Sequence, residues 1–340
     1  MALERRKLGA SGLEVTTLGL GGTGLANMYN AIAEESAERL IRGAHRLGIG
    51  FFDTAPCYGV GLSEQRLGRV LPALPRGDFV LSSKVGYDLL PLAEGENVSS
   101  LFAGTPRLKT RFDFSYDATM RSIEGSLARL GVSRVNMVAI HDPDETAGAD
   151  PAADPYAASH FAEAMEGAYR ALDALRSQKV IGAVGVGMNQ WQMLVDFAQA
   201  GDFDYFLCAG RYTLLQYDAA QTLLPLCAAR GISLIIGGPY CSGILASGAV
   251  EGAMFGYAPA TPDVLARVRK IEQICADFGI SLRAAALHFP LRHSAVASVI
   301  PGARSLDELT ENLAAHAEAV PEDFWQALAD AKLIDLYAIA

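Results

Sequence analysis

The chain has 340 residues, 51% of them hydrophobic, which suits either two ordinary domains or one large barrel. Its 38 acidic residues exceed its 28 basic ones, and the resulting formal charge of -10 repels phosphate backbones and anionic lipid heads, so neither nucleic acid nor a membrane is an expected partner. Five cysteines (Cys57, Cys208, Cys227, Cys241, Cys275) are odd in number and widely spaced, without a CxxC pair or a nearby histidine, which points to a reducing cytoplasm and away from zinc.

In chain order, the charged start, Met1–Lys7, does not read as a signal peptide, and no run reaches the roughly 18 apolar residues of a membrane span. Leu3–Glu14 reads as a hairpin turning at Ala10-Ser11-Gly12. Eight short apolar or β-branched runs follow: Val15–Leu20, Ile49–Phe52, Phe79–Ser83, Val135–Ile140, Val180–Val186, Tyr205–Ala209, Ser233–Ile236 and Val296–Ile300. Between them, apolar residues three and four apart predict helices at Glu34–Leu47, Asp117–Leu130, Phe161–Ser177, Asp263–Phe278 and Leu306–Ala317. Strands with little charge alternating with amphipathic helices imply parallel βα units, and eight of them suit a closed (β/α)8 barrel over residues 1–340 as one domain. Gly86–Ser115 and Asp142–Ser159 interrupt the rhythm after the third and fourth strands, where barrel enzymes carry their substrate loops.

Gly19, Gly21 and Gly24 form a GxGxxG after the first run, which in isolation suggests a dinucleotide-binding βαβ unit. That motif should open a helix at its third glycine, yet Leu25–Ala31 is a poor helix start. The acidic residue expected about 20 positions on, at the end of the next strand, is also missing, because that strand ends at Asp53. A tight glycine turn is the better reading.

Asp53, Lys84 and His141 end the second, third and fourth strands, and Tyr58 sits in the loop after Asp53. Any one of them could be a rim ion pair. Together they supply a proton acceptor, a cation to lower its pKa, an anion to hold the cation and an imidazole to orient a substrate oxygen. His45, His160, His288, His293 and His316 lack metal-ligand spacing and read as surface or packing residues, so no metal is expected.

The segments Phe52-Asp53-Thr54-Ala55-Pro56-Cys57-Tyr58-Gly59, Ser82-Ser83-Lys84-Val85-Gly86, Ile140-His141-Asp142 and Ile300-Pro301-Gly302 continuing to Glu311-Asn312 resemble the aldo-keto reductases almost end to end. The resemblance implies a catalytic tetrad of Asp53, Tyr58, Lys84 and His141. Gly185-Val186-Gly187-Met188-Asn189 and Gly237-Gly238-Pro239-Tyr240-Cys241-Ser242-Gly243 narrow it to the aldose 1-dehydrogenase branch, which includes D-threo-aldose (L-fucose-type) and pyridoxal 4-dehydrogenases. Such enzymes oxidise a cyclic hemiacetal to a lactone, with Tyr58, made more acidic by Lys84, as the base. A general aldehyde or ketone reductase, a Schiff-base enzyme built on Lys84, and a nucleotide-binding sensor stay as alternatives.

The same resemblance places the pyrophosphate of a nicotinamide dinucleotide under Gly238, Pro239, Ser242, Gly243 and Leu245, and its adenosine along Ile300, Gly302, Arg304, Glu308, Glu311 and Asn312. Gly22 and Thr23 join the set, and Asn189 and Tyr212 are expected at the nicotinamide end, where family residues are replaced by Gly187, Ala209 and Gly237. Glycine at 302 and glutamate at 308, where NADP-preferring relatives carry basic residues, favour NAD, with NADP possible through Arg304. Tyr29, Tyr87 and His141 are the expected contacts to a small-molecule substrate, and the oligomeric state stays open.

Overall fold

The computed structural model describes residues 3–98, 100–144 and 159–339. Eight parallel strands form one sheet: β1 (Leu20–Gly21), β2 (Phe51–Asp53), β3 (Val80–Val85), β4 (Met137–His141), β5 (Ala183–Met188), β6 (Tyr205–Ala209), β7 (Ser233–Gly237) and β8 (Val296–Ile300). Each strand pairs with its neighbours in sequence. Parallel bridges from Leu18 to Val299 and from Gly21 to Gly302 close the sheet into a (β/α)8 barrel, with Gly19 N–H donating to the Val299 carbonyl at 2.9 Å.

This seam accounts for the glycine motif. A Cβ on Gly21 would stand 2.9 Å from the Ile300 carbonyl oxygen, and one on Gly24 would overlap the Ala303 carbonyl. The glycines let β1 approach β8, and only a three-residue 3₁₀ turn, Gly24–Ala26, follows them. The run expected as the first barrel strand is divided: Glu14–Thr16 pairs antiparallel with Arg5–Lys7 as the hairpin, and the barrel strand begins at Leu20. The Thr16 hydroxyl donates to the Leu18 carbonyl at 2.8 Å, turning the chain between the two.

Leu8 and Val15 of the hairpin pack with Phe51, Val80, Met137, Ala139, Ala183, Tyr205 and Ile235 inside the barrel, so the hairpin plugs its amino-terminal end. Chemistry is left to the carboxyl-terminal end. The outer helices are α1 (Glu34–Arg46), α2 (Leu62–Gly68), α3 (Tyr116–Leu130), α4 (161–177), α5 (Trp191–Ala200), α6 (Leu223–Arg230), α7 (Pro262–Phe278), α8 (Leu282–Leu291), α9 (Leu306–Ala317) and α10 (Glu322–Asp330). Ser115, Thr261 and Ser305 cap α3, α7 and α9 by accepting from a backbone N–H three residues on, and Gly131 (φ 63°) and Gly279 (φ 67°) end α3 and α7. In α4 a π-helical stretch, Ala164–Tyr169, carries Gly167 against the backbone of Phe114 and Ser115, closer than any Cβ would allow.

Two loop features shape the carboxyl-terminal face. Gly86–Ser115 contains a hairpin, Tyr87–Pro91 against Leu108–Phe112. Beyond its tip, Leu101–Ala103 pairs with the loop after β1: Tyr29 N–H donates to Leu101 O at 2.8 Å and Ala103 N–H to Asn27 O at 3.0 Å. The buried Arg66 guanidinium holds that loop from below through the Leu25 and Ile32 carbonyls, Asn27 and Glu34. Of Asp142–Ser159, residues 145–158 lie outside the described residues.

Candidate active site

Asp53, Lys84 and His141 project from β2, β3 and β4, and the turn after β2 brings Tyr58 over them. Lys84 Nζ donates to Asp53 Oδ2 at 2.6 Å, to the Thr54 carbonyl at 2.9 Å and to the Tyr58 hydroxyl at 3.2 Å. Three partners use all three ammonium donors, and the lysine side chain is wholly buried. A lysine so engaged is a poor Schiff-base nucleophile, which disfavours that alternative.

Burial pushes the Asp53 carboxyl up, against the pull of Lys84. Burial, followed by the Asp53 charge, also holds the Tyr58 hydroxyl well above its ordinary range. The expected acidification of Tyr58 by Lys84 is therefore outweighed: the lysine's charge is largely spent on the carboxylate 2.6 Å away. Burial and the Lys84 charge together keep His141 neutral at physiological pH by lowering its pKa well below the usual histidine value.

The His141 ring stands edge-on to Tyr58, centroids 5.6 Å apart, with Cys57 Sγ 3.3 Å from Nδ1 and Asp142 Oδ2 3.3 Å from Nε2. Tyr87 packs on the same imidazole at 5.4 Å and donates its hydroxyl to Asp142 at 3.0 Å. Phe102, brought in by the paired loops, lies 6.4 Å from the Tyr58 ring.

From Tyr58 a cleft of about 930 Å³ runs across the carboxyl-terminal face, ample for a nucleotide cofactor beside a small substrate. Of the residues expected at the cofactor, Gly22, Thr23, Asn189, Gly238, Pro239, Ser242, Gly243, Ile300, Gly302, Arg304, Glu308 and Asn312 line it, as does Tyr29. Gly238 (φ 59°) and Gly243 (φ 105°) have left-handed backbones in the wall, and no atom lies within 4 Å of a Cβ built on Gly243. This bare, glycine-rich rim, with α9 beginning beside it, fits a pyrophosphate and its nucleoside.

Three expectations are corrected. Gly210 (φ 71°) turns the chain so that Arg211 enters the cleft while Tyr212 faces away, buried against Phe289 with its hydroxyl donating to Ala338 O at 2.6 Å. Leu245 is fully buried in the core and does not line the cleft, because the turn after β7 directs it inward. Glu311 does not line the cleft itself but pairs with Arg283, 3.1 Å away, which does.

Arg304 and Glu308 bind each other: the guanidinium meets Glu308 Oε1 at 2.9 and 3.2 Å, and Glu308 Oε2 accepts from the Arg304 backbone N–H at 2.8 Å. Sequence reasoning weighed them separately. It also missed Arg211, Gln216, Tyr240, Tyr257 and Arg283, which line the cleft from a turn, the β7 loop, a short hairpin and α8. No sequence pattern marks Tyr240 and Arg283; the fold ties both to the expected Asn312, whose Oδ1 accepts from Tyr240 at 2.8 Å and Arg283 at 3.3 Å. Among the described residues no group of three His, Cys, Asp or Glu is placed to hold a metal ion, and no single helix is long and apolar enough to cross a membrane.

The sequence is 35% identical over 341 aligned residues to pyridoxal 4-dehydrogenase of Microbacterium luteolum, covering 98% of each chain. It is 33% identical to D-threo-aldose 1-dehydrogenase of a Pseudomonas species, covering 96% of each. The holo form of an aldo-keto reductase from Bacillus halodurans superposes with a TM-score of 0.74 at 22% identity, over 98% of this chain and 97% of that one. The glycerol dehydrogenase of Gluconobacter oxydans also gives 0.74, at 20% identity, over 97% and 95%. At these identities the two structures speak for the fold alone. The aldo/keto reductase family model matches residues 17–332, and the chain belongs to that family of oxidoreductases.

Proposed function

We propose that this barrel is an NAD-dependent dehydrogenase acting, as one catalytic domain, on a small cyclic hemiacetal, which it oxidises to the lactone. The observation that carries the reading is the Tyr58 hydroxyl at the head of the cleft, 3.2 Å from a Lys84 ammonium that Asp53 and Thr54 fix in place. A bound nicotinamide supplies the hydride acceptor and, when oxidised, a positive charge. Tyr58 takes the proton of the hemiacetal hydroxyl, and Lys84 stabilises the phenolate by donating to its oxygen. Burial keeps the resting phenol protonated at neutral pH, so oxidation gains as pH rises toward the raised Tyr58 value. His141, neutral and held edge-on to Tyr58, orients the substrate oxygen.

Asn189, Gly238, Gly243, Gly302 and Asn312 hold the dinucleotide. The preference for NAD rests on the Arg304–Glu308 pair: the Arg304 guanidinium, which could meet a 2′-phosphate, is already engaged by a carboxylate at 2.9 Å. Tyr29 at the mouth and Tyr87 against His141 are the proposed substrate contacts. The five cysteines, all free, suit a reducing cytoplasm. An aldose and pyridoxal in its hemiacetal form are the two substrate readings, each favoured by a full-length relative. Incubation with NAD and L-fucose, D-arabinose, L-galactose or pyridoxal, followed as NADH and lactone formation, tests the proposal. Carbonyl reduction with no lactone from any of the four would overturn it.

A further inference from the structure

The two nitrogens of the His141 ring meet chemically different neighbours: Cys57 Sγ lies 3.3 Å from Nδ1 and Asp142 Oδ2 lies 3.3 Å from Nε2. A carboxylate only accepts hydrogen bonds, whereas a thiol can also donate one. Burial and the Lys84 charge keep the imidazole neutral, so it has a single N–H to place. With that hydrogen on Nδ1, the Nε2 lone pair would face the carboxylate and the two acceptors would repel. With it on Nε2, the N–H lies beside the Asp142 charge and Nδ1 is left to accept from the thiol. Burial, reinforced by Asp142, pushes the Cys57 thiol well up, so Sγ keeps the hydrogen it would donate.

The turn that carries Tyr58 also fixes Cys57. Tyr58 N–H donates to the Ala55 carbonyl at 3.1 Å, and the Cys57 carbonyl accepts from Val60 N–H at 3.2 Å. Gly59 (φ 61°) and Val60 (φ 47°) then bring the chain back, so that Ser63 N–H donates to the Tyr58 carbonyl at 3.3 Å. One turn thus sets two adjacent side chains on two different partners, the Tyr58 hydroxyl on Lys84 at 3.2 Å and the Cys57 thiol on His141.

The geometry points to Cys57 as a positioning residue: its thiol donates to His141 Nδ1 and holds the ring in the tautomer with hydrogen on Nε2, which makes His141 a hydrogen-bond donor to the reacting oxygen. A donor stabilises the negative charge that builds on that oxygen as Tyr58 takes its proton, whereas a lone pair on Nε2 would oppose it. Cys57 acts through His141 and transfers no proton itself. The kinetic part of the inference rests on the Tyr58-centred reading above; the tautomer does not.

The test is nitrogen NMR on protein isotope-labelled in its histidine rings, with wild type, Cys57→Ala and Cys57→Ser compared and His141→Asn identifying the His141 signals. Wild type should show a bare Nδ1, far downfield of a protonated Nε2. Cys57→Ala should draw the two signals together as the tautomers mix. It should also lower kcat/KM about 3- to 10-fold, the worth of one hydrogen bond, while the NADH dissociation constant stays within about twofold. Cys57→Ser, still a donor, should recover most of both readouts, and Cys57→Val replaces the alanine variant if that fails to fold. A wild-type ring protonated on Nδ1 would overturn the proposal, as would an unmoved signal pair in the alanine variant. A serine variant no better than alanine would reduce Cys57 to packing and overturn it as well. If the tautomer shifts as expected while turnover does not change, the hold of the thiol on the ring stands and the reading of His141 in the reaction falls.

Discussion

Replacing Lys84 by methionine should lower the melting temperature by about 4–7 °C at pH 8, and a second change, Asp53→Asn, should restore most of the loss. The pair is buried, with 2.6 Å between Nζ and Oδ2; at an effective dielectric near 20 the direct attraction is about 6 kcal/mol, much of it offset by desolvation. Breaking such a pair by removing one partner costs roughly 3–5 kcal/mol, because the other charge is stranded. For 340 residues the unfolding entropy is about 0.7 kcal/mol per degree, which gives the stated shift. The sign of the pH dependence follows from Asp53. Its folded pKa is already pushed up by burial and rises further without the lysine, so the stability it contributes is fully present below the unfolded carboxyl value, near 3.9, and is lost as pH rises through the folded value. The deficit of the lysine variant should thus shrink at pH 5. Thermal melts at both pH values, with NADH absent, read all three proteins. A Lys84→Met protein melting within a degree of wild type at pH 8, or one that Asp53→Asn fails to rescue, would show that the pair does not hold the site as argued.

With the Tyr58 hydroxyl raised well above its usual value, kcat/KM for oxidation should climb about tenfold per pH unit from pH 7 to 9, and a flat profile would remove Tyr58 as the base. Glu308→Gln releases Arg304 from its carboxylate partner, so the NADP-to-NAD ratio of kcat/KM should rise about tenfold or more; an unmoved ratio would mean that the pair does not set the preference. Gly24→Ala forces a methyl into the Ala303 carbonyl at the barrel seam and should cost about 1–3 kcal/mol in urea unfolding. Gly77→Ala, where nothing lies within 4 Å of an added Cβ, should change little; equal effects would contradict the account of the seam.

The barrel was legible because its strands are buried on both faces and so read as apolar runs, and the tetrad because strand ends converge in this architecture. Where local signals mislead, the cause is tertiary. Gly19, Gly21 and Gly24 carry a dinucleotide-binding pattern, yet it is the close passage of β8 that requires them. Val15–Leu20 reads as one strand because Val, Thr and Leu dominate it; the turn at Thr16–Leu18 depends on a hydroxyl-to-carbonyl bond that no periodicity records. Tyr212 and Arg211 are adjacent, and only the conformation of Gly210 decides which of them enters the cleft. Arg283 and Tyr257 reach the cofactor cleft from elements distant in sequence. The charge balance at Tyr58 was likewise hidden: the tetrad composition implies an acidified phenol, but the 2.6 Å approach of Asp53 to Lys84, with burial, reverses the direction.

The central claim, that Tyr58 is the proton-transferring residue of a nicotinamide-linked oxidoreductase, is tested most directly by Tyr58→Phe, which removes only the hydroxyl that Lys84 holds at 3.2 Å. Steady-state turnover should fall by about 10²–10⁴, while the dissociation constant for NADH, read by fluorescence, stays within about twofold of wild type. Turnover near the wild-type rate with NADH still bound would contradict the account.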